Sequence, residues 1–164
     1  FDYGTKSPNK VVDVRRNGVG WIFQDFHLVE RLSALDNVAF SLELSGMSAK
    51  EAEDRAWTAL ERVGLGDRME FIPDQLSGGQ QQRVAVARAI SGSRPLILAD
   101  EPTGNIDWEM SERLLKLLIE LNRMGKTIVV ASHDLSLIRT AKTQVPVRVL
   151  RINNRQVHLA GADL

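Results

Sequence analysis

Cysteine is absent from the 164 residues, which excludes disulfide frameworks and thiolate metal sites and fits a reducing compartment. Neither charge prevails: 21 lysines and arginines face 21 aspartates and glutamates. Nucleic-acid binders usually carry a basic excess on one face, so this balance argues against a nucleic-acid partner. Long apolar runs are also missing. Leu96–Ala99 and Ile128–Ala131 have the length of core strands, far below the roughly 18 residues of a membrane-crossing helix. No secretory leader precedes the first residue, which is Phe rather than Met, and the expectation is a piece of a longer chain. What is present is ordinary: 43% apolar and 26% charged residues support one globular core, not comfortably two.

Hydrophobic spacing assigns a polar N-terminal stretch, a buried strand over Val19–Phe23 and a mostly helical middle. Ser48 and Glu51 have capping-box spacing. They predict a helix with Ala52, Ala56, Ala59, Leu60 and Val63 on its buried face and Gly64 as its stop. A second helix is predicted from near Gly79 to about Ser91. From Pro95 onward strands and helices alternate. Leu96–Ala99 predicts a central parallel strand covered on both faces. Asp107 predicts the cap of a helix with Leu114, Leu117, Leu118 and Leu121 inside and Gly125 at its end. Thr127–Ala131 predicts the next buried strand, and Asp134 caps another helix. Val147–Ile152 and Gln156–Leu159 predict a hairpin turning at Asn153-Asn154. The alternation is that of an α/β fold, whose ligands bind beyond the carboxyl ends of the strands.

Informative residues fall at those ends. Leu76-Ser77-Gly78-Gly79-Gln80, followed by Gln81-Gln82-Arg83, joins a hydroxyl and two glycines to a helix start. Bare backbone lets an anion approach, and the helix start offers free amides and a positive dipole end. Ser-Gly-Gly is equally an ordinary loop before a helix. Leu96–Glu101 delivers two acids at a strand exit, where alternation points Asp100 and Glu101 to opposite faces. One carboxylate on a hydrated Mg²⁺ and one orienting water is what phosphoanhydride hydrolysis takes. The same pair could instead cap a helix. His133, after the strand at 127–132, could reach a terminal phosphate or an attacking water, or be a structural residue. Gln24, past the first strand, could accept from a metal-bound water and donate to a phosphate. His27 and His158 have no such setting.

In this order the residues resemble the nucleotide-binding subunit of ATP-binding cassette (ABC) transporters, from Val19 to about Leu159. Gln24 matches the family's Q-loop, and Leu76–Gln80 its LSGGQ signature without change. Leu96–Asp100 matches Walker B, Glu101 the catalytic glutamate, Asn105-Ile106-Asp107 the D-loop and His133 the switch histidine. The resemblance implies a P-loop NTPase (RecA-like) parallel sheet core at 1–26 and 77–164, with an inserted helical subdomain at 27–76. It implies ATP and Mg²⁺ between the two head-to-tail copies of a homodimer. Ser77, Gly78, Gly79, Gln80 and Asp107 would then face the nucleotide held by the other copy. Glu101 would polarise the attacking water, and His133 would contact the γ-phosphate. Asp100 and Gln24 would serve the Mg²⁺, with Gln24 linking it to the membrane partner.

Asp100–Asp107, Ile22–Phe26, Val63–Met69 and Ser132–Leu137 resemble the branch of cell-division FtsE, lipoprotein-releasing and macrolide-exporter ATPases, the FtsE type most. That implies a polytopic membrane subunit, an FtsX-like permease, and a peripheral place on the cytoplasmic face of the inner membrane. Phe26, Leu28, Leu32, Leu35 and Phe40 are candidates for an apolar groove docking that subunit.

The family's phosphate loop, Gly-x-x-x-x-Gly-Lys-Ser/Thr, has no match. Gly125-Lys126-Thr127 lacks the earlier glycine, with Glu120 in its place, and closes a helix. Tyr3 does not match the family's adenine-stacking aromatic. The expectation is a fold without its N-terminal part, with exposed sheet edges and weak ATP affinity for the chain alone. The alternative is a non-hydrolysing regulatory module that keeps dimer and membrane contacts; the intact Glu101 and His133 favour hydrolysis.

Overall fold

A computed structural model of the chain describes residues 8–104 and 106–160. Tyr3 and Asn105 lie outside the described residues. In order, the elements are α1 (Pro8–Gly18), β1 (Val19–Ile22), α2 (Ala34–Glu43), α3 (Ala49–Arg62), α4 (Gly78–Ile90) and β2 (Leu96–Asp100). There follow α5 (Trp108–Arg123), β3 (Thr127–Ala131), α6 (Leu135–Gln144), β4 (Leu150–Asn153) and β5 (Gln156–Leu159).

β1, β2 and β3 form a parallel sheet with β2 in the middle. The register aligns Val19 with Leu96 and Thr127, and Ile22 with Ala99 and Val130, so all three strands end at one edge. Alternation puts Gly20, Ile22, Ile97 and Ala99 on one face, where they are buried. Gly20 explains the close seat of α4: a Cβ there would stand 2.5 Å from the Ala89 carbonyl oxygen. From this face one apolar core runs through Val84 and Val86 of α4 to Leu42 of α2, Leu60 of α3 and Leu121 of α5.

The other face corrects the expectation of burial on both sides. Leu96 and Leu98 are half-exposed, and the edge strand β3, expected to be buried, is exposed on both faces apart from the half-buried Ile128, with Val129 51% and Val130 40% exposed. An apolar run cannot tell one-sided from two-sided burial, because both favour the same residues. Among the described residues, no helix is long and apolar enough to cross a membrane.

Further differences have local causes. The N-terminal stretch contains a helix, α1, tied down by Arg94, whose Nε donates to the Arg16 carbonyl at 3.0 Å. Ser48 caps α3 by accepting from the Glu51 N–H, but the box does not close. The Glu51 carboxylate instead accepts from Arg55, one turn on, at 2.9 Å. Of the groove candidates, Leu35 is a core residue, whereas Phe26, Leu28 and Leu32 are half-buried and Phe40 is exposed.

The hairpin β4–β5 turns one residue later than expected. Asn153 pairs with Gln156, leaving Asn154 (φ +48°) and Arg155 (φ +61°) as a two-residue turn. Two consecutive left-handed residues match the primed turns that suit strand twist. Asp107 caps α5 as predicted, accepting from the Met110 N–H at 2.9 Å, and Gly125 follows the helix at φ +90°. Leu115 and Ile119, absent from the expected inner face, form a second small cluster with Leu137 of α6.

Candidate functional site

Because β1, β2 and β3 are parallel and in register, Gln24, Asp100–Glu101 and Ser132–His133 leave the sheet at the same edge. Glu101 extends the ladder by donating its N–H to the Ala131 carbonyl at 2.9 Å, then turns sharply at φ +43°. A left-handed non-glycine residue costs about 1–3 kcal/mol, so the surroundings must hold it there. They do so through the side chain. Its Oε1 accepts from the His133 main-chain N–H at 3.0 Å and lies 2.7 Å from His133 Nδ1, while Oε2 accepts from the Ser132 hydroxyl at 3.2 Å.

The Glu101 side chain is 22% exposed and the His133 ring 86%. A fixed carboxylate thus carries an imidazole that projects outward. The hydrogen bond to Glu101, and secondly its charge, raise the His133 pKa above the ordinary 6.5. Asp134 has its pKa lowered, first by the Ser136 hydroxyl, and caps α6 by accepting from the Ser136 and Leu137 N–H groups.

Gln24 and Asp100 are exposed beside this pair. The Gln24 side chain lies over Gly104, where a Cβ would meet its Nε2 at 3.6 Å and the Glu101 carbonyl oxygen at 3.4 Å. Exposed carboxylate and amide oxygens are hard donors of the kind Mg²⁺ takes while it keeps waters and phosphate oxygens, so the donor set fits that ion. Among the described residues no cluster of three acids or histidines forms a cage of its own.

At the start of α4, Ser77 and Gln80 close a reciprocal box. Ser77 Oγ accepts from the Gln80 N–H at 3.3 Å, and Gln80 Oε1 accepts from the Ser77 N–H at 2.8 Å. Both side chains therefore shape the helix start, while the Ser77 hydroxyl keeps its own proton to donate outward. Ser77 and Gly78 are exposed, and Gly79 lies against Ile106. Neither Gly78 nor Gly79 has a left-handed φ, so what these glycines provide is bare backbone. Gln82, further along α4, donates through Nε2 to the Pro102 carbonyl at 2.7 Å. That bond ties α4 to the turn just after Glu101.

Sequence reasoning missed the residue that fixes the loop after Gln24. Phe26 and His27 both have positive φ, +58° and +47°. The guanidinium of Arg88, on α4, donates to the carbonyls of Phe26 at 2.6 Å and His27 at 2.5 Å. Burial lowers the Arg88 pKa from its ordinary value. No short-range pattern announces such a bond, since the partners are 62 and 61 positions apart. His27 packs its ring edge-on to Phe23, and His158 sits on the exposed hairpin, so neither joins the site.

Comparison with known proteins shows the family. The chain is 47% identical over 143 residues to an uncharacterised ABC transporter ATP-binding protein of Thermotoga maritima, covering 87% of the chain and 61% of that protein. It is 42% identical to the cell division ATP-binding protein FtsE of Escherichia coli K12, covering 94% of the chain and 68% of FtsE. It is also 42% identical to the macrolide export ATP-binding/permease protein MacB of Bordetella avium, covering 91% of the chain and 23% of MacB. Among solved structures, the ATP-binding cassette MJ0796 in a dimeric post-hydrolysis state with ADP and Pi superposes with a TM-score of 0.78 at 39% identity. That match covers 85% of this chain and 62% of that one. The chain thus spans about three-fifths of the first relatives it matches, 61% and 60%. The α/β architecture is that of the ABC ATPase cassette. Residues 2–104 match the model of the ABC transporter family, to which this chain belongs.

Proposed function

We propose that the chain is part of the ATP-binding and ATP-hydrolysing subunit of an ABC-transporter-type membrane complex, whose phosphate loop these 164 residues do not contain. The observation that carries this reading is the Glu101 carboxylate, fixed at the end of β2 by the Ser132 hydroxyl and the His133 main-chain N–H. A carboxylate held still at a strand exit can orient and deprotonate a water, and an outward imidazole can reach the terminal phosphate. Asp100 and the Gln24 amide would hold Mg²⁺, which supplies charge neutralisation on the phosphates. Ser77, Gly78, Gly79 and the free amides of α4 contact the nucleotide bound to a second, head-to-tail copy. Gln80 acts by shaping that helix start, and Asp107 by fixing the connection into α5.

The finer assignment is an FtsE-like ATPase on the cytoplasmic face of the inner membrane, partnered by an FtsX-like permease. It is supported by the share of FtsE that the chain covers, 68% at 42% identity, and by the segments that resemble the FtsE type. Residues 27–76 form the subdomain that docks on the membrane subunit. Phe40 and Leu44, four positions apart at the C-terminal end of α2 and 45% and 57% exposed, offer it an apolar surface.

The test is Glu101→Gln in the full-length protein. ATP binding should persist while turnover falls by about a hundredfold or more, the order of a general base. Turnover within about twofold of wild type would overturn the assignment.

A further inference from the structure

Glu101 is held from two sides. It leaves β2 with φ +43°, a left-handed conformation that a non-glycine residue keeps only when its surroundings fix it. On the strand side its N–H and carboxylate are bonded to Ala131, Ser132 and His133, at or just past the end of β3. On the other side the chain turns at once, the Glu101 carbonyl accepting from the Gly104 N–H at 3.1 Å. Pro102, at the second position of that turn, is fully buried and has no N–H of its own to anchor it. Its carbonyl accepts from Gln82 Nε2 at 2.7 Å, across 20 positions of sequence.

Three successive residues of α4 grip main-chain carbonyls. Gln81 Nε2 donates to Pro73 at 3.0 Å and Leu76 at 3.1 Å, and Arg83 Nη1 donates to Val63 and Gly64, each at 3.1 Å. Those bonds tie α4 to its own approach and to the end of α3. Gln82, between them and 3% exposed, reaches the turn after Glu101 instead. Its Oε1 is buried without a partner among the described residues. An orphaned buried oxygen costs about 1–3 kcal/mol, as much as the Pro102 carbonyl would lose without its donor. Net stability therefore does not account for an amide here, where an apolar side chain of equal length would fill the same space. What the amide alone supplies is a fixed donor to the turn that follows Glu101.

We propose that Gln82 is a positioning residue for Glu101: by holding the Pro102 carbonyl it keeps the carboxylate where an attacking water is oriented. Gln82 touches neither nucleotide nor water and acts through Glu101. It can have this role only if Glu101 acts on water, as proposed for ATP hydrolysis.

Gln82→Met, made in the full-length protein, keeps the length and removes donor and orphaned oxygen together. Their effects on stability oppose, so Tm should move little. The kcat for ATP hydrolysis should fall about tenfold or more, since a misplacement of about 1 Å can cost a hundredfold, while KM stays within about twofold. Added to Glu101→Gln, the same substitution should change the residual turnover by less than about twofold, because the group it positions is already gone. Gln82→Ala, which fits sterically, serves if the Met variant does not fold, with the same split between kcat and KM expected. Wild-type kcat, a loss carried by KM, or equal losses with and without Glu101 would overturn the role of Gln82. Glu101→Gln at wild-type turnover would instead remove water activation by Glu101, and with it the role of Gln82; an impaired Glu101→Gln beside a fully active Gln82→Met would remove the role of Gln82 alone.

Discussion

One oxygen of Glu101 meets two atoms of His133, the main-chain N–H at 3.0 Å and ring Nδ1 at 2.7 Å, across 32 positions of sequence. The contact exists because β2 and β3 are adjacent, parallel and in register, so residues just past each strand end face one another. It joins the two groups proposed for water activation and phosphate contact.

The charge state of His133 should report that contact. Its pKa is raised in the folded protein, chiefly by the hydrogen bond to Glu101. Any stabilisation from the pair is therefore complete below the ordinary value of 6.5 and disappears as pH climbs through the raised one. In Glu101→Gln the ring should titrate nearer its ordinary value. An NMR pH titration of the histidine resonances checks this, and an unshifted curve in the variant would contradict it.

The two ends of the α3 cap should be unequal. Ser48→Ala removes the hydroxyl that accepts from the Glu51 N–H and should cost about 1 kcal/mol. Glu51→Ala removes only an exposed pair with Arg55, for which about 0.3–0.5 kcal/mol is expected. Urea denaturation of both variants measures the difference. Equal losses would mean that the carboxylate caps after all.

Arg88 should hold the loop that follows Gln24. Arg88→Ala leaves the Phe26 and His27 carbonyls without their donor and is expected to cost about 1–3 kcal/mol. Lys at this position presents a single charged point and cannot fork between two carbonyls, so it should rescue only in part. Hydrogen exchange across residues 24–29 should quicken in both variants. Unchanged exchange would remove Arg88 from this role.

What the sequence made legible depended on the range of the interaction. The start of α4, the cap of α5 and the β2 run are written in neighbouring residues and match the fold within a residue or two. Leu115 and Ile119 were missed because a helix that packs on two sides has two buried faces, and a single-stripe pattern sees one. The half-exposed Leu98 looked like a two-sided core residue because its chemistry is the same either way. In the site, the acids, His133 and the signature turn were readable as types. Ser132 on Glu101, Gln82 on Pro102 and Arg88 on the loop were not, since each bond spans at least 20 positions.

Gly20 is required by the seat of α4. In Gly20→Ala the new methyl group would meet the Ala89 carbonyl oxygen at 2.5 Å, a backbone atom that cannot swing aside. Overpacking of this kind costs about 1–3 kcal/mol or more, because helix and strand must separate. Thermal unfolding should show a clear drop in Tm, and an unchanged Tm would mean that α4 stands further off.

The central claim is that the Glu101 cluster of one copy and the Ser77 turn of another act on the same nucleotide. Mixing two inactive full-length variants, Glu101→Gln and Ser77→Arg, tests it most directly. If the sites are shared, each heterodimer keeps one site with both native residues, and ATP hydrolysis in the mixture should rise several-fold above either variant alone. Hydrolysis that stays at the mean of the two parents would contradict it.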